Sequence, residues 1–207
     1  MNPARVQWID QRVRAVYPNR LEKPRILDVG CGAGLLSEAL AQKGYDVLGI
    51  DPSEDAIAAA RAHSEGSFLP LRYQTGAAED VLASGVQYAV VTALELIEHV
   101  PDPSRLLRLL ARLVAPGGLL FVSTLNRTPL SYLTAKWGAE YILRWLPVGT
   151  HDWRKFVSPA ELGAGMRAAG LHLADLAGLH PDPLRGGWRT GRSVAVNYIA
   201  MGKKPGH

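Results

Sequence analysis

A chain of 207 residues with 47% hydrophobic and 20% charged residues has one domain's length and enough apolar material for a core, which excludes disorder as its resting state. Its 21 glycines and 14 prolines follow no period, which excludes a fibrous repeat, and its single cysteine, Cys31, excludes an internal disulfide and suits a reducing compartment. The 23 Lys and Arg against 19 Asp and Glu leave a net charge of +4, scattered apart from Arg185, Arg189 and Arg192, so no nucleic-acid partner is expected and weak attraction to an anionic surface is.

No apolar run reaches the roughly 18 residues of a spanning helix, and the opening Met-Asn-Pro-Ala-Arg lacks the order of a secretory signal. A cytoplasmic protein is therefore expected. Apolar runs of strand length alternate with helix-period runs from Arg25 to about Asn126, the pattern of a parallel sheet with crossover helices, so the expected class is α/β. The expected strands are Arg25 to Gly30, Asp46 to Ile50, Leu69 to Gln74, Tyr88 to Ala93 and Leu119 to Thr124. Helices are expected at Leu35 to Lys43, Ser53 to His63 and Pro103 to Val114, the last stopped by Pro116-Gly117-Gly118. Ser158-Pro159-Ala160-Glu161 begins another helix running to about Ala169. Two closing strands, Leu171 to Ala177 and Ser193 to Met201, form a hairpin-like pair and bring the expected count to seven. No repeat or linker divides the chain, so 1–207 reads as a single domain.

After the first strand, Asp28-Val29-Gly30-Cys31-Gly32-Ala33-Gly34 opens directly into a helix. Glycines there let the backbone turn sharply and come close to a ligand, with helix N–H groups pointing at it. The alternative is a glycine turn with no ligand. Asp51 ends the second strand, where a carboxylate can accept both hydroxyls of a ribose or simply cap the next helix. Asp28 lies inside an otherwise apolar strand, which points to a polar task near the ligand's charged end. The glycine loop and Asp51 resemble motifs I and II of the class I S-adenosylmethionine methyltransferases. That resemblance implies a Rossmann-like sheet, mostly parallel with an antiparallel last strand and helices on both faces. It implies Gly30, Gly32 and Gly34 beneath the methionine part of S-adenosylmethionine, Asp51 on the ribose, and Ala78 and Glu79 beside the adenine.

The fourth strand runs into Leu94-Glu95-Leu96-Ile97-Glu98-His99-Val100-Pro101-Asp102-Pro103. One helical turn would put Glu95, Glu98 and His99 on a single face, and two carboxylates with an imidazole and no Lys or Arg among them suit a divalent cation. A solvated helix start with a capping histidine is the alternative. His151, in the polar loop Gly149 to Phe156, is a candidate fourth ligand or a surface histidine.

Several strings together resemble the ubiquinone-biosynthesis O-methyltransferase family: Asn2-Pro3-Ala4-Arg5 before a helix, the run from Glu95 to Pro103, and Ser123-Thr124-Leu125-Asn126-Arg127-Thr128. Gly138-Ala139-Glu140-Tyr141, the run from Gly149 to Phe156, and Val196-Asn197-Tyr198 complete the likeness, which covers nearly the whole chain. It implies methyl transfer from S-adenosylmethionine to phenolic hydroxyls of polyprenylated catechols, with membership of a biosynthetic protein complex. It also implies Arg5 at the cofactor carboxylate, Gly30 and Asp51 at its methionine and ribose parts, and Leu94 at its adenine side. The Glu-x-x-Glu-His spacing with a distant histidine is similar to the metal site of the small-RNA 2′-O-methyltransferases. That likeness implies catalytic metal ligation by Glu95, Glu98, His99 and His151, with Mg²⁺, Mn²⁺ or Zn²⁺ admitted by the donors, and supplies RNA as the rival substrate. A non-catalytic S-adenosylmethionine-binding partner is the rival from another class.

The chain departs from that pattern in three places. The family usually carries an aromatic-rich segment ahead of Asn2-Pro3, so a shortened form is expected here; Ala89 stands where an acid is usual after Tyr88; and His180-Pro181-Asp182-Pro183 replaces Tyr-Asn-Pro. Between Thr128 and Pro147, Lys136, Glu140 and Arg144 repeat every four residues on one narrow stripe, and the remaining surface carries Leu130, Leu133, Trp137, Tyr141, Ile142, Trp145 and Leu146. Such an amphipathic insertion, at about 128–147, suits an anionic membrane surface or a lid, or a helix packed on the core. Peripheral association with the bacterial inner membrane, or its mitochondrial equivalent, is the expectation that follows.

Overall fold

The computed structural model describes residues 1–19, 23–128, 131, 155–183 and 186–206. Five parallel strands come first: β1 (Arg25–Val29), β2 (Asp46–Asp51), β3 (Leu71–Thr75), β4 (Tyr88–Leu94) and β5 (Val114–Leu125). Three antiparallel strands follow, β6 (His172–Pro181), β7 (Trp188–Gly191) and β8 (Asn197–Lys203), and the sheet order is β3-β2-β1-β4-β5-β8-β6-β7. Helices α1 (Asn2–Val16), α2 (Leu35–Gln42), α3 (Glu54–Ser64), α4 (Ala78–Ala83), α5 (Pro103–Leu113) and α6 (Pro159–Ala168) connect them.

Alternation along each central strand supplies two cores. In β5, Leu120 and Val122 join Leu107, Leu110 and Leu162 on one face, while Leu119 and Phe121 join Trp8, Ile9 and Leu40 on the other. Because both faces are covered, β1 is buried at every position after Arg25, which is why it reads as a continuous apolar run broken only by Asp28. The helix starts follow local chemistry. The Ser53 hydroxyl accepts from the Ala56 N–H, Asp102 accepts from the Arg105 N–H, and Ser158 with Glu161 forms a reciprocal cap.

Three expectations are corrected. The sheet has eight strands instead of seven, because Trp188–Gly191 pairs with Gly178–Pro181 and makes a hairpin with the end of β6. The last strand begins at Asn197 instead of Ser193 and lies between β5 and β6, because the carbonyls of Val194 and Val196 are held by Asn126 just before the ladder starts. Asn2-Pro3-Ala4-Arg5 is the first turn of α1 and does not precede it, since proline fits the opening positions of a helix.

Asp28 joins three elements. Fully buried in β1, it accepts from Ser37 Oγ of α2 at 2.6 Å and from Thr92 Oγ1 of β4 at 2.7 Å. Burial pushes its carboxyl up to about 6, with a smaller push from the Asp51 charge. The folded chain therefore binds the proton more tightly than the unfolded chain, whose ordinary value is 3.8, and this contribution is full below that value and lost as pH rises through about 6. Urea unfolding of wild type and Asp28→Asn should show the difference moving in the variant's favour by on the order of 3 kcal/mol between about pH 4 and about pH 7. A difference independent of pH would contradict the assignment.

Candidate active site

The strand order reverses at β1, whose neighbours β2 and β4 carry the chain away on opposite sides, and such a switch point opens a crevice at the strands' C-terminal ends. On the β1 side lies the glycine loop. The N–H groups of Gly30 and Cys31 both donate to the Ile50 carbonyl, at 2.9 and 3.0 Å, folding the loop over the end of β2. Gly34 has φ +81°, and a Cβ there would lie 2.1 Å from the Tyr73 hydroxyl, so no side chain fits. Gly32, φ +54°, has nothing within 4 Å of where a Cβ would stand. Its N–H donates to Asp51 Oδ2 at 3.0 Å, and Ser53 N–H donates to Oδ1 at 2.9 Å, so the Asp51 carboxylate is aimed before any ligand arrives. An open backbone cradle, a helix N-terminus at Leu35 and a fixed carboxylate meet the needs of an adenosyl cofactor. Burial, with the Asp28 and Asp51 charges, pushes the Cys31 thiol up to about 12, so it stays protonated and is no nucleophile.

On the β4 side the ladder runs to Leu94, paired with Ser123. Glu95 then has φ +53°, the one non-glycine residue in the left-handed region among the described residues. The conformation is strained for a residue with a Cβ, and it persists because the surroundings over-determine it. Its N–H donates to the Ser123 carbonyl at 2.9 Å, and its Oε1 accepts from the Arg5 guanidinium, from Ser123 Oγ at 3.0 Å and from Asn197 Nδ2 at 3.3 Å. Leu96 packs on the cofactor loop, with Cδ1 only 3.2 Å from where a Gly30 Cβ would stand. Ile97–His99 forms a short 3₁₀ turn that carries Glu98 inward, to 4% exposure, with Oε2 buried and without a hydrogen-bond partner. Burial, and then the Glu95 charge, pushes the Glu98 carboxyl up to about 7.

Glu95, Glu98 and His99 do not share one helical face, contrary to expectation. The left-handed turn at Glu95 replaces the helical turn, so the two carboxylates approach one another while His99 is exposed. Among the described residues no group of three His, Cys, Asp or Glu stands ready to hold a metal, and His151 lies outside them. Arg5, expected at a cofactor carboxylate, is held by Glu95, with its Nε buried and unpartnered. Leu94 is half-buried at the end of β4, and Ala78 opens α4 with its side chain in the core. Glu79 is exposed and faces Arg105 of α5 at 3.7 Å. Ser123 and Asn197 belong to the site but were recognisable only as members of longer strings, since a single polar residue in a strand carries little signal.

With this geometry in place, comparison with known proteins is direct. Residues 4–176 match a methyltransferase-domain family. The chain is 49% identical over 202 residues to the ubiquinone biosynthesis O-methyltransferase of Azorhizobium caulinodans, covering 98% of this chain and 79% of that one. It is 47% identical over 205 residues to the protein of the same name from Pseudomonas aeruginosa, covering 99% and 86%. Among solved structures, magnesium protoporphyrin IX methyltransferase from Synechocystis with bound S-adenosylhomocysteine aligns with a TM-score of 0.68 at 22% identity over 97% of this chain and 84% of that one, a likeness of fold. The chain is an S-adenosylmethionine-dependent enzyme of the class I methyltransferase fold and belongs to the ubiquinone biosynthesis O-methyltransferase family.

Proposed function

We propose that this enzyme methylates a phenolic oxygen of a polyprenylated catechol, with a divalent cation held by Glu95, Glu98, His99 and His151. The name of its relatives supports a prenylated ring as acceptor. The observation that carries the reading is Glu98: a buried carboxylate oxygen with no donor on it, beside a second carboxylate, one side chain away from the cofactor loop. Glu95 already has the Arg5 guanidinium, so it is the buried Glu98 that needs a cation or a proton, and its carboxyl is raised first by burial and then by the Glu95 charge. The orphaned oxygen and the hard oxygen donors fit Mg²⁺, with Mn²⁺ or Zn²⁺ admitted by the imidazoles.

When bound, S-adenosylmethionine brings the electrophilic methyl group, and a divalent cation lowers the pKa of a phenol, ordinarily near 10, so little further activation is required. The chain's own residues supply the rest. Asp51 accepts from the ribose hydroxyls while Gly32 leaves the methionine side free of a Cβ and Gly30 and Gly34 allow the loop its close turns, with Leu94 and the start of α4 at Ala78 and Glu79 assigned to the adenine side and Asp28 tying β1 to α2 and β4 below. Arg5 stands across from Glu95, within reach of a cofactor carboxylate at the same end of the sheet. Leu96 packs against the Gly30 turn, which joins the acid segment to the cofactor loop by an apolar contact. Glu98 Oε2 is the atom that holds the cation or the proton that replaces it.

Chelation should abolish methyl transfer to a catechol yet leave S-adenosylhomocysteine titration nearly unchanged, and Glu98→Gln should reproduce that separation. Asp51→Ala should do the reverse, weakening S-adenosylhomocysteine by about 1–3 kcal/mol through lost charged hydrogen bonds. Full activity after chelation, with elemental analysis of the same sample, would show that no metal takes part.

The reading extends to the membrane. A polyprenyl acceptor resides in the bilayer, no described helix is long and apolar enough to cross one, and the amphipathic insertion at about 128–147 has the aromatic and basic residues of an interfacial segment, although it lies largely outside the described residues. The protein should float with anionic liposomes, and Trp137→Glu with Trp145→Glu should release it without altering S-adenosylhomocysteine affinity. Equal flotation of the double variant would contradict the interfacial role.

A further inference from the structure

Beside the acid segment, a cleft of about 350 Å³ opens between α5 and α6, a volume in the range of small-molecule sites. Its walls are mostly apolar, with Ile97, Val100 and Pro101 from the acid segment, Leu107 from α5 and Leu162 from α6. We propose that this cleft seats the first isoprenyl units of the acceptor's tail while the ring lies at Glu95 and Glu98, an inference that rests on the prenylated-catechol reading above.

Four observations support that occupant. Ile97 and Val100 of the cleft wall belong to the same short turn of chain as the buried Glu98, so a ring at Glu98 would have its tail beside this wall. Val157 on the far wall accepts from the Tyr198 hydroxyl at 2.8 Å, and Tyr198 lies on the same sheet face as the cleft residues Ile97, Leu107 and Leu162. On the wall Arg127 pairs with Glu161, which leaves Lys155 as an exposed cation at the rim and the inner lining apolar. Finally, Arg127 and Lys155 both line the cleft, and they flank the stretch of sequence read above as membrane-interfacial, so that stretch joins the described chain at this opening.

Gly165 shows how the cleft is shaped. A glycine inside a helix costs about 1 kcal/mol relative to alanine, yet one stands within α6 because a Cβ there would lie 2.6 Å from Leu107 Cδ1. The two helices therefore come close at that point, and Gly165 and Leu107 both line the cleft there. Ser104, exposed in the first turn of α5, lines the cleft with a side chain small enough to leave it open.

The test compares kcat/KM for a tail-less catechol with that for catechols bearing one, two or three prenyl units, in wild type and in Ser104→Trp. Burial of prenyl carbon should raise wild-type kcat/KM at least about tenfold over the tail-less compound. Ser104→Trp should bring the ratio close to one with the tail-less value and S-adenosylhomocysteine titration unchanged, and Val100→Trp serves if that variant fails to bind S-adenosylhomocysteine. A tail advantage that survives the filled cleft, or an equal loss for all acceptors, would overturn the proposal while leaving the catechol reading standing. Turnover of no catechol by wild type would overturn both.

Discussion

The Glu95 carboxylate holds the C-terminal end of this sheet together. One oxygen receives Arg5 from the first helix, Ser123 from β5 and Asn197 from β8, so residues separated by more than a hundred positions in sequence converge on one atom. The convergence explains the backbone. Glu95 stands in the left-handed region, a conformation that costs on the order of 1–3 kcal/mol for a non-glycine residue, and the charged and neutral hydrogen bonds on its side chain offset that cost. It also explains the turn that follows. With Glu95 pulled toward Arg5, the chain reverses over Leu96 and drives Glu98 inward.

Two consequences meet at the switch point. Leu96 rests on Gly30, so the acid segment and the cofactor loop touch through one apolar side chain, and movement in either is felt by the other. Glu98 Oε2 is buried without a well-formed hydrogen bond, with the Thr124 hydroxyl, also buried and unpartnered, close enough to lower its carboxyl slightly, a cost a protein tolerates where something else is to be bound. The two buried carboxylates, one within β1 and one just past β4, differ in this: Asp28 is satisfied by Ser37 and Thr92, whereas Glu98 keeps one oxygen without a hydrogen-bond partner.

Much of this was legible in the residue order. The five parallel strands and the helices after β1, β2 and β4 showed in apolar periodicity, and the helix at Ser158 in its capping residues, because these signals act over three or four residues. The glycine loop was legible for the same reason: Gly32 and Gly34 adopt the backbone that glycine alone adopts cheaply. The failures are long-range. Trp188–Gly191 becomes a strand only because β6 offers it an edge, and the shape of the Glu95-to-His99 segment depends on Arg5, Ser123 and Asn197, which no local pattern connects to it. An i, i+3, i+4 spacing suggested a helical face, and tertiary contacts to Glu95 replaced it.

The most direct test of this account is a double-mutant cycle on the unfolding free energy with Arg5→Met and Glu95→Gln. If the pair is the clamp described, the two losses are strongly non-additive, with a coupling of about 1 kcal/mol or more for partners at 13% and 33% side-chain exposure. Losses that add to within about 0.5 kcal/mol would show that Arg5 and Glu95 act independently, and the sheet's C-terminal end would then owe its arrangement to something other than this contact.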